Sequence, residues 1–293
     1  MARGLMLIVN PFSGRGVSMP ALGAIVSQLC AGDNSVTVYT AGKYTPEELV
    51  YDNAKYHDQV VCAGGDGTLS AVVSGLMRAG VSIPVGYIPT GTANDVATTL
   101  ALSRDPGIAA RAIINGKPRP LDVGKFDGRY FTYIAAFGAF TGVAYKTPQS
   151  AKRALGHLAY ILGSFADVSA IAARRTVIEY DGGSIVGDFI FGAVANSTSV
   201  AGFVKIDPER VDLSDGMFEV ILVKQPIGLR DFLTIIPNIL MQNYDGENVL
   251  MFRASKARFM FEDQVAWTID GENGGLHKDA EISNIHEAIS IIV

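Results

Sequence analysis

Apolar residues in the N-terminal part of the chain form short runs that alternate with amphipathic segments. Four runs predict strands, at residues 5–9, 35–40, 60–63 and 81–88, and the continuous run at residues 5–9 is typical of a strand buried on both faces. Helical patterns follow them at residues 20–30, from 45, from 68 and at 96–102. Strand–helix units in series predict a parallel sheet. We therefore expect a doubly wound α/β domain over residues 1–123.

The pattern changes near residue 121, and strand signals dominate from there. Asp127-Gly128 and Asp181-Gly182-Gly183 separate apolar runs as hairpin turns do. The predicted strands cover residues 131–137, 176–180, 189–195, 217–223, 250–253, 257–261 and 265–269. Two predicted helices interrupt them, at residues 152–172 and 228–242. An antiparallel β-sandwich domain is expected over residues 124–282. The tail, about 283–293, is expected to return to the first domain or to pair with either.

Composition limits the classes of partner and compartment. Hydrophobic residues make up 48% of the chain and charged residues 18%, which is globular, and the net charge of -5 argues against a nucleic-acid partner. Cys30 and Cys62 lie far apart, which favours buried thiols and a cytoplasmic protein. No uncharged run reaches the roughly 20 residues of a spanning helix. Membrane contact is therefore expected to be peripheral.

The stretch from Gly64 to Thr68 is the strongest chemical signal. Its glycines allow close backbone approach, and the helix that starts near Thr68 directs unpaired N–H groups at the turn, an arrangement that suits phosphate. Asp66 would repel phosphate oxygens unless a divalent cation lies nearby. We therefore expect a nucleotide with Mg²⁺. An ordinary tight connection between strand and helix is the alternative.

Polar and glycine residues follow all four N-terminal strands. Because the carboxyl ends of parallel strands share one sheet edge, these loops are expected to converge on one ligand. The candidate nucleotide-binding residues are Asn10, Ser13, Gly14, Thr40, Gly64, Gly65, Asp66, Gly67, Thr68, Gly91, Thr92 and Asn94. Routine helix capping accounts for any one of them alone, but less well for the set.

Five blocks together carry a family resemblance. They are Asn10-Pro11-Phe12-Ser13-Gly14, Gly64-Gly65-Asp66-Gly67-Thr68, Pro89-Thr90-Gly91-Thr92-Ala93-Asn94-Asp95, Ser214-Asp215-Gly216 and Asp270-Gly271-Glu272. Their order and spacing resemble the diacylglycerol kinase catalytic-domain family of bacterial soluble lipid kinases. The resemblance implies ATP and Mg²⁺ in a cleft between an α/β domain and a β-sandwich, and phosphoryl transfer to the hydroxyl of diacylglycerol or a similar lipid, including sphingoid bases.

The resemblance also implies roles for individual acids. Asp66, Asp95 and Asp122 would hold the catalytic Mg²⁺, largely through water, and Asp215 would lie at a second, structural Mg²⁺ or Ca²⁺. Asp270, beside Glu272, would be the general base. The chain departs from the family pattern at Ala93, where glycine is frequent, and at Thr98, where arginine is common.

Two other functions stay open from the sequence. An NAD-kinase-like enzyme shares the central motif but phosphorylates a soluble dinucleotide, and a regulatory protein would bind nucleotide without turnover. A lipid kinase must reach its substrate at the inner face of the membrane, for which residues 146–157 and 228–242 are the candidate docking segments. A homodimer is also allowed.

Overall fold

The computed structural model describes residues 3–14, 16–92, 94–138, 173–200, 204–244 and 246–293. The chain divides into two compact units. The first comprises Met1–Val123, Arg129–Thr132 and Ile285–Val293, and the second comprises Gly124–Gly128 and Tyr133–Asn284. We describe each unit by itself.

The first unit contains a parallel sheet. Its strands are β1 (Gly4–Val9), β2 (Ser35–Thr40), β3 (Gln59–Gly64) and β4 (Val85–Pro89). They lie in the order β2-β1-β3-β4, and every neighbouring pair is parallel. Near the C-terminus, Ile291 pairs in parallel with Val85. The predicted doubly wound α/β class is confirmed, and the polar segments after these strands lie at one edge of the sheet.

Among its described residues, the first unit has five α-helices. They are α1 (Met19–Leu29), α2 (Pro46–Asn53), α3 (Asp66–Ala79), α4 (Asp95–Thr99) and α5 (Pro106–Asn115). Helix α2 begins as the sequence predicted, with a capping box between Thr45 and Glu48. Helix α5 was not predicted, although Asp105 caps it and Pro106 occupies its first turn. Its pattern is short, and only Ala109, Ala110 and Ile113 are buried.

The remaining strands lie mostly in the second unit, except for residues 118–123, 129–131 and 285–292, which belong to the first. They are β5 (Pro118–Phe126), β6 (Arg129–Phe131), β7 (Ile134–Gly138), β8 (Arg174–Tyr180), β9 (Gly183–Ala195), β10 (Ser199–Val200), β11 (Val204–Lys205), β12 (Phe218–Lys224), β13 (Val249–Ala254), β14 (Lys256–Ile269) and β15 (Glu272–Ile292). The strands β13-β12-β9-β7-β14-β15 are neighbours in that order. All these neighbouring pairs are antiparallel.

Strands β7 and β8 share the space between β9 and β14. Strand β8 pairs with the first half of β9 and with residues 257–261 of β14, whereas β7 pairs with the second half of β9 and with residues 267–269. The long strands β9 and β14 therefore each pair with both β7 and β8 and hold these two shorter strands in the sheet. A cluster of rings packs around Trp267, whose ring lies 5.0 Å from Phe126 and 5.0 Å from Phe137.

Several predicted boundaries differ from the structure. The predicted strand 131–137 is interrupted at Thr132 and Tyr133, and the two predicted strands 257–261 and 265–269 form the single strand β14. The predicted helix 228–242 corresponds to α6 (Leu229–Leu240). The predicted helix 152–172 lies outside the described residues. Within the described part of the chain, no helix is long and apolar enough to cross a membrane.

Candidate active site

The loops after β1 and β3 are joined by side-chain contacts. The Nδ2 of Asn10 donates to Oγ1 of Thr68 at 3.0 Å, and the N–H of Asn10 donates to the carbonyl of Ala63 at 3.1 Å. The Oδ1 of Asn10 accepts the N–H of Phe12, which turns the chain after β1. Thr40 is exposed at the end of β2, in register with Val9. These contacts bring the predicted residues to one sheet edge.

Glycines allow the loops after β1, β3 and β4 to touch. A Cβ on Gly91 would lie 2.5 Å from the Cα of Gly65, and a Cβ on Gly65 would lie 3.0 Å from Oγ of Ser13. Gly14 has a φ of +57°, and its Cβ would lie 2.5 Å from the carbonyl oxygen of Thr90. At Gly91 and Gly14 the loops meet backbone to backbone, so a side chain at either position would not fit.

The N-terminus of helix α3 faces these loops without a side-chain cap. Gly65 is the N-cap residue, and no side chain accepts its first N–H groups. The first amides of a helix lack partners within it and carry the positive end of the helix dipole. The donors of this 14-residue helix suit the oxygens of a phosphate.

The carboxylate of Asp66, the first residue of α3, accepts hydrogen bonds from the next helix, α4. Its Oδ2 accepts the N–H of Asp95 at 2.9 Å, and its Oδ1 accepts the N–H of Val96 at 3.2 Å. Burial raises the pKa of Asp66 above its ordinary value, and the amide hydrogen bonds partly oppose this shift. A bound cation would favour the ionised form. The chemistry of Asp66 and its neighbour Asp95 therefore fits a hard divalent ion.

Asp122 lies on β5 and is fully buried. Its Oδ1 accepts the N–H of Glu287 at 2.7 Å and lies 3.2 Å from Nδ1 of His286. Within the described residues, no three or more His, Cys, Asp or Glu side chains are placed to hold a metal ion directly. Shared coordination of Mg²⁺ by Asp66, Asp95 and Asp122, through water, stays a prediction.

Two polar side chains near this edge were not predicted as site residues. The hydroxyl of Tyr87, on β4, lies 3.4 Å from Oδ1 of Asp66 and 3.3 Å from Oδ1 of Asn94. Burial raises the pKa of Tyr87 far above its ordinary value. The Oγ1 of Thr90 is buried without a hydrogen-bond partner. Tyr87 sits within an apolar strand pattern, where sequence alone predicts a core residue.

In the second unit, Asp270 occupies a two-residue turn between β14 and β15. Asp270 and Gly271 have φ values of +49° and +84°, and Ile269 pairs with Glu272, as in a tight Asp-Gly hairpin. Yet Asp270 is only 7% exposed. Its Oδ1 accepts the N–H groups of Tyr133 and Ile134, each at 2.9 Å. The carboxylate is thus held inward, whereas Glu272 is exposed.

Asp215, the predicted ligand of a second cation, is paired with an arginine. The guanidinium of Arg253 contacts one carboxylate oxygen, and the other accepts the N–H of Met217 at 3.0 Å. The guanidinium supplies positive charge beside Asp215. A structural cation here stays a prediction, as does the active-site cleft between the domains.

Comparison with known proteins identifies the family. Residues 4–126 match the diacylglycerol kinase catalytic domain, and residues 135–292 match the domain described as YegS C-terminal NAD kinase beta sandwich-like. A diacylglycerol kinase from Bacillus subtilis (strain 168) is 31% identical over 98% of this chain and 95% of its own length. The chain belongs to the diacylglycerol kinase catalytic-domain family.

Another relative supports the assignment, and two solved structures support the fold. A diacylglycerol kinase from Staphylococcus aureus (strain Newman) is 30% identical over 94% of this chain and 88% of its own length. A crystal structure of a diacylglycerol kinase from Bacillus anthracis str. Sterne superimposes with a TM-score of 0.77 at 22% identity, covering 99% of this chain and 96% of the other. A second structure from that organism gives 0.83 at 24% identity, covering 100% and 97%. These structures support the predicted β-sandwich class.

Proposed function

We propose that the protein is an ATP- and Mg²⁺-dependent lipid kinase that phosphorylates the hydroxyl of diacylglycerol or a similar lipid alcohol. The observation that carries the proposal is the inward, amide-held carboxylate of Asp270. An aspartate that only formed an exposed turn would not need hydrogen bonds from two buried backbone amides. The names of the relatives give the acceptor class, and their match over most of the chain supports applying that class to this protein.

The first unit would bind the nucleotide. In this proposal the phosphates lie against the α3 N-terminus and the loops around Gly65 and Gly91, whose close approach keeps side chains out. Asp66 and Asp95, with Asp122, would hold Mg²⁺ largely through water. When bound, Mg²⁺ would neutralise charge on the phosphate oxygens and orient them for in-line transfer.

Asp270 would act as general base. A lipid hydroxyl is a weak nucleophile until its proton is removed, and a positioned carboxylate can accept that proton as the new O–P bond forms. The amides of Tyr133 and Ile134 fix one oxygen of Asp270, which sets the orientation of the carboxylate. Asp270 has a φ of +49°, a left-handed turn conformation, and is 7% exposed.

An acceptor assay tests the proposal. The purified protein is incubated with γ-labelled ATP and Mg²⁺ and with diacylglycerol in mixed micelles, a sphingoid base, NAD, or no acceptor. We expect label in diacylglycerol or the sphingoid base. Label in NAD would instead support the NAD-kinase-like alternative, since the C-terminal domain matches one described as NAD kinase beta sandwich-like. ATP binding without transfer to any acceptor would support a regulatory protein.

Membrane contact is part of the same proposal. The enzyme would dock transiently on the cytoplasmic membrane surface, because its acceptor is amphiphilic. One candidate segment, residues 146–157, lies outside the described residues. The other contains α6, which is flanked by Ile227 and Met241, 93% and 80% exposed. Vesicle co-sedimentation of Lys152→Glu/Arg153→Glu and Ile227→Ser/Met241→Ser variants tests both, and wild-type binding by both would exclude these docking residues.

A further inference from the structure

The hydroxyl of Tyr87 contacts side chains from two loops of the proposed nucleotide site. The residue lies on β4, two positions before that strand ends, and is 1% exposed. Its hydroxyl lies 3.4 Å from Oδ1 of Asp66, which follows β3, and 3.3 Å from Oδ1 of Asn94, which precedes helix α4. One phenol therefore contacts a side chain from each of two neighbouring loops.

The orientation of the Asn94 amide is determined by its other contact. Its Nδ2 donates to the carbonyl of Gly91 at 2.8 Å, so its Oδ1 must face Tyr87. Tyr87 thus meets two acceptors with a single proton. Asn94 itself is 3% exposed and has a φ of +54°, a conformation that needs support from its surroundings.

We propose that Tyr87 is a positioning residue for phosphoryl transfer, which rests on the proposed function. The strand fixes the ring, since Tyr87 pairs in register with Cys62 on β3. The hydroxyl then sets the separation between the Asp66 carboxylate and the Asn94 amide. Because Asp66 also accepts the first amides of α4, the same hydroxyl supports the start of that helix.

Tyr87→Phe removes the hydroxyl and keeps the ring. We expect the affinity for ATP·Mg²⁺, measured by calorimetry without lipid, to fall about 3- to 30-fold, the range expected for one lost hydrogen bond to a charged or buried group. The Mg²⁺ concentration needed for half-maximal ATP binding should rise as well. Tyr244→Phe is the matched control, because it removes another buried hydroxyl, one that donates to the carbonyl of Ile239 in the second unit. It should leave both quantities within twofold of wild type.

A double-mutant cycle separates positioning from a general packing effect. If Tyr87 acts through Asp66, Tyr87→Phe should weaken ATP·Mg²⁺ binding by less than twofold in an Asp66→Ala background, which has no side-chain oxygen for the hydroxyl to contact. A packing effect would add fully to that of Asp66→Ala. Full additivity would overturn the inference, as would a Tyr87→Phe variant that matches Tyr244→Phe in ATP and Mg²⁺ binding and differs only in melting temperature.

The binding readout separates this inference from the proposed acceptor. Wild-type protein that binds ATP·Mg²⁺ but phosphorylates no lipid would refute the lipid-kinase proposal, while the two variants would still decide whether Tyr87 positions Asp66. Wild-type protein that binds no ATP·Mg²⁺ would overturn both.

Discussion

Asp66 and Asp95 are joined by a hydrogen bond in which the N–H of Asp95 donates to the Asp66 carboxylate at 2.9 Å. Asp95 begins helix α4, and the N-cap residue of that helix, Asn94, makes no side-chain cap of its own. Asp66 therefore caps a helix 29 positions further along the chain. A change at Asp66 should affect both the proposed cation site and the start of α4.

Substitutions at Asp66 can separate these two effects. Asp66→Asn removes the charge and keeps one oxygen, which can accept only one of the two amides. We therefore expect lower kinase activity, a higher Mg²⁺ requirement and a smaller loss of stability than in Asp66→Ala. Asp66→Ala also removes the cap, which typically costs about 0.5–2 kcal/mol. Urea unfolding and Mg²⁺ titration of the rate measure these effects. An unchanged Mg²⁺ requirement in Asp66→Asn would contradict the cation assignment.

Gly91→Ala should separate the loops after β3 and β4. The new methyl group would lie 2.5 Å from the Cα of Gly65, and backbone can yield only by shifting the loops. A displacement near 1 Å lowers kcat/KM by roughly 10- to 100-fold. The matched control is Gly23→Ala in helix α1, where a Cβ meets nothing within 4 Å. It should retain full activity and gain up to about 1 kcal/mol of stability. Equal activities would contradict the predicted role of the loop contact.

A buried carboxylate in the second unit should make stability depend on pH. Glu219 is 1% exposed, and neither carboxylate oxygen has a hydrogen-bond partner, although Nε of Arg253 lies 3.7 Å away. Burial raises the pKa of Glu219 from 4.5 to about 8. Between these values the folded state holds a proton that the unfolded state has released. The contribution of this group is thus complete below about pH 4.5 and is lost as pH rises through 8.

Glu219→Gln tests this dependence. Unfolding free energies measured in urea from pH 5 to 8.5, with a chelator present, should fall with pH more steeply in wild type than in the variant. The difference in slope approaches about 1.4 kcal/mol per pH unit at most. Glu281→Gln is the control, because Glu281 is half exposed and pairs with Lys256 at the surface. Parallel curves for wild type and Glu219→Gln would refute the raised pKa.

Hydrophobic periodicity predicted the regular parts of the fold. The predicted strand 35–40 coincides with β2, and the capping signals at Thr45 and Pro46 mark the start of α2. The predicted strand 81–88 is shorter in the structure, where β4 begins at Val85. Val81, Ile83 and Pro84 extend the apolar pattern but precede the strand and are only partly buried, so the apolar run overstates its length. The break at Thr132 and Tyr133, which supplies an amide to Asp270, leaves no signal in an apolar run.

The sequence predicted which loops form the candidate site but not the hydrogen bonds between their side chains. Parallel strands bring their carboxyl ends together, so the position of Asn10 and Gly65 at one edge follows from topology. The direction of each side chain does not. Asp66 could have capped its own helix, and Tyr87 reads as a core residue until its hydroxyl is seen near Asn94. These contacts depend on tertiary packing, which periodicity does not describe.

Asp270 and Asp127 form a natural comparison for testing the general base. Both precede glycine in two-residue hairpin turns with positive φ at both positions. Asp127 contacts Nδ1 of His277 at 2.9 Å, and its side chain is 34% exposed. Asp270 is 7% exposed and is held by two backbone amides. Turn geometry is thus common to both, and only Asp270 is directed inward.

Asp270→Asn should therefore remove turnover without removing the fold. The amide oxygen of asparagine can still accept the N–H groups of Tyr133 and Ile134, but the side chain can no longer take a proton. We expect ATP binding within a few-fold of wild type and turnover with saturating lipid lowered by roughly 10²–10⁴. Asp127→Asn, the matched control, should keep turnover within twofold. Because both variants alter an Asp-Gly turn in the same way, an equal loss in both would point to turn damage. A fully active Asp270→Asn enzyme would exclude Asp270 as the base.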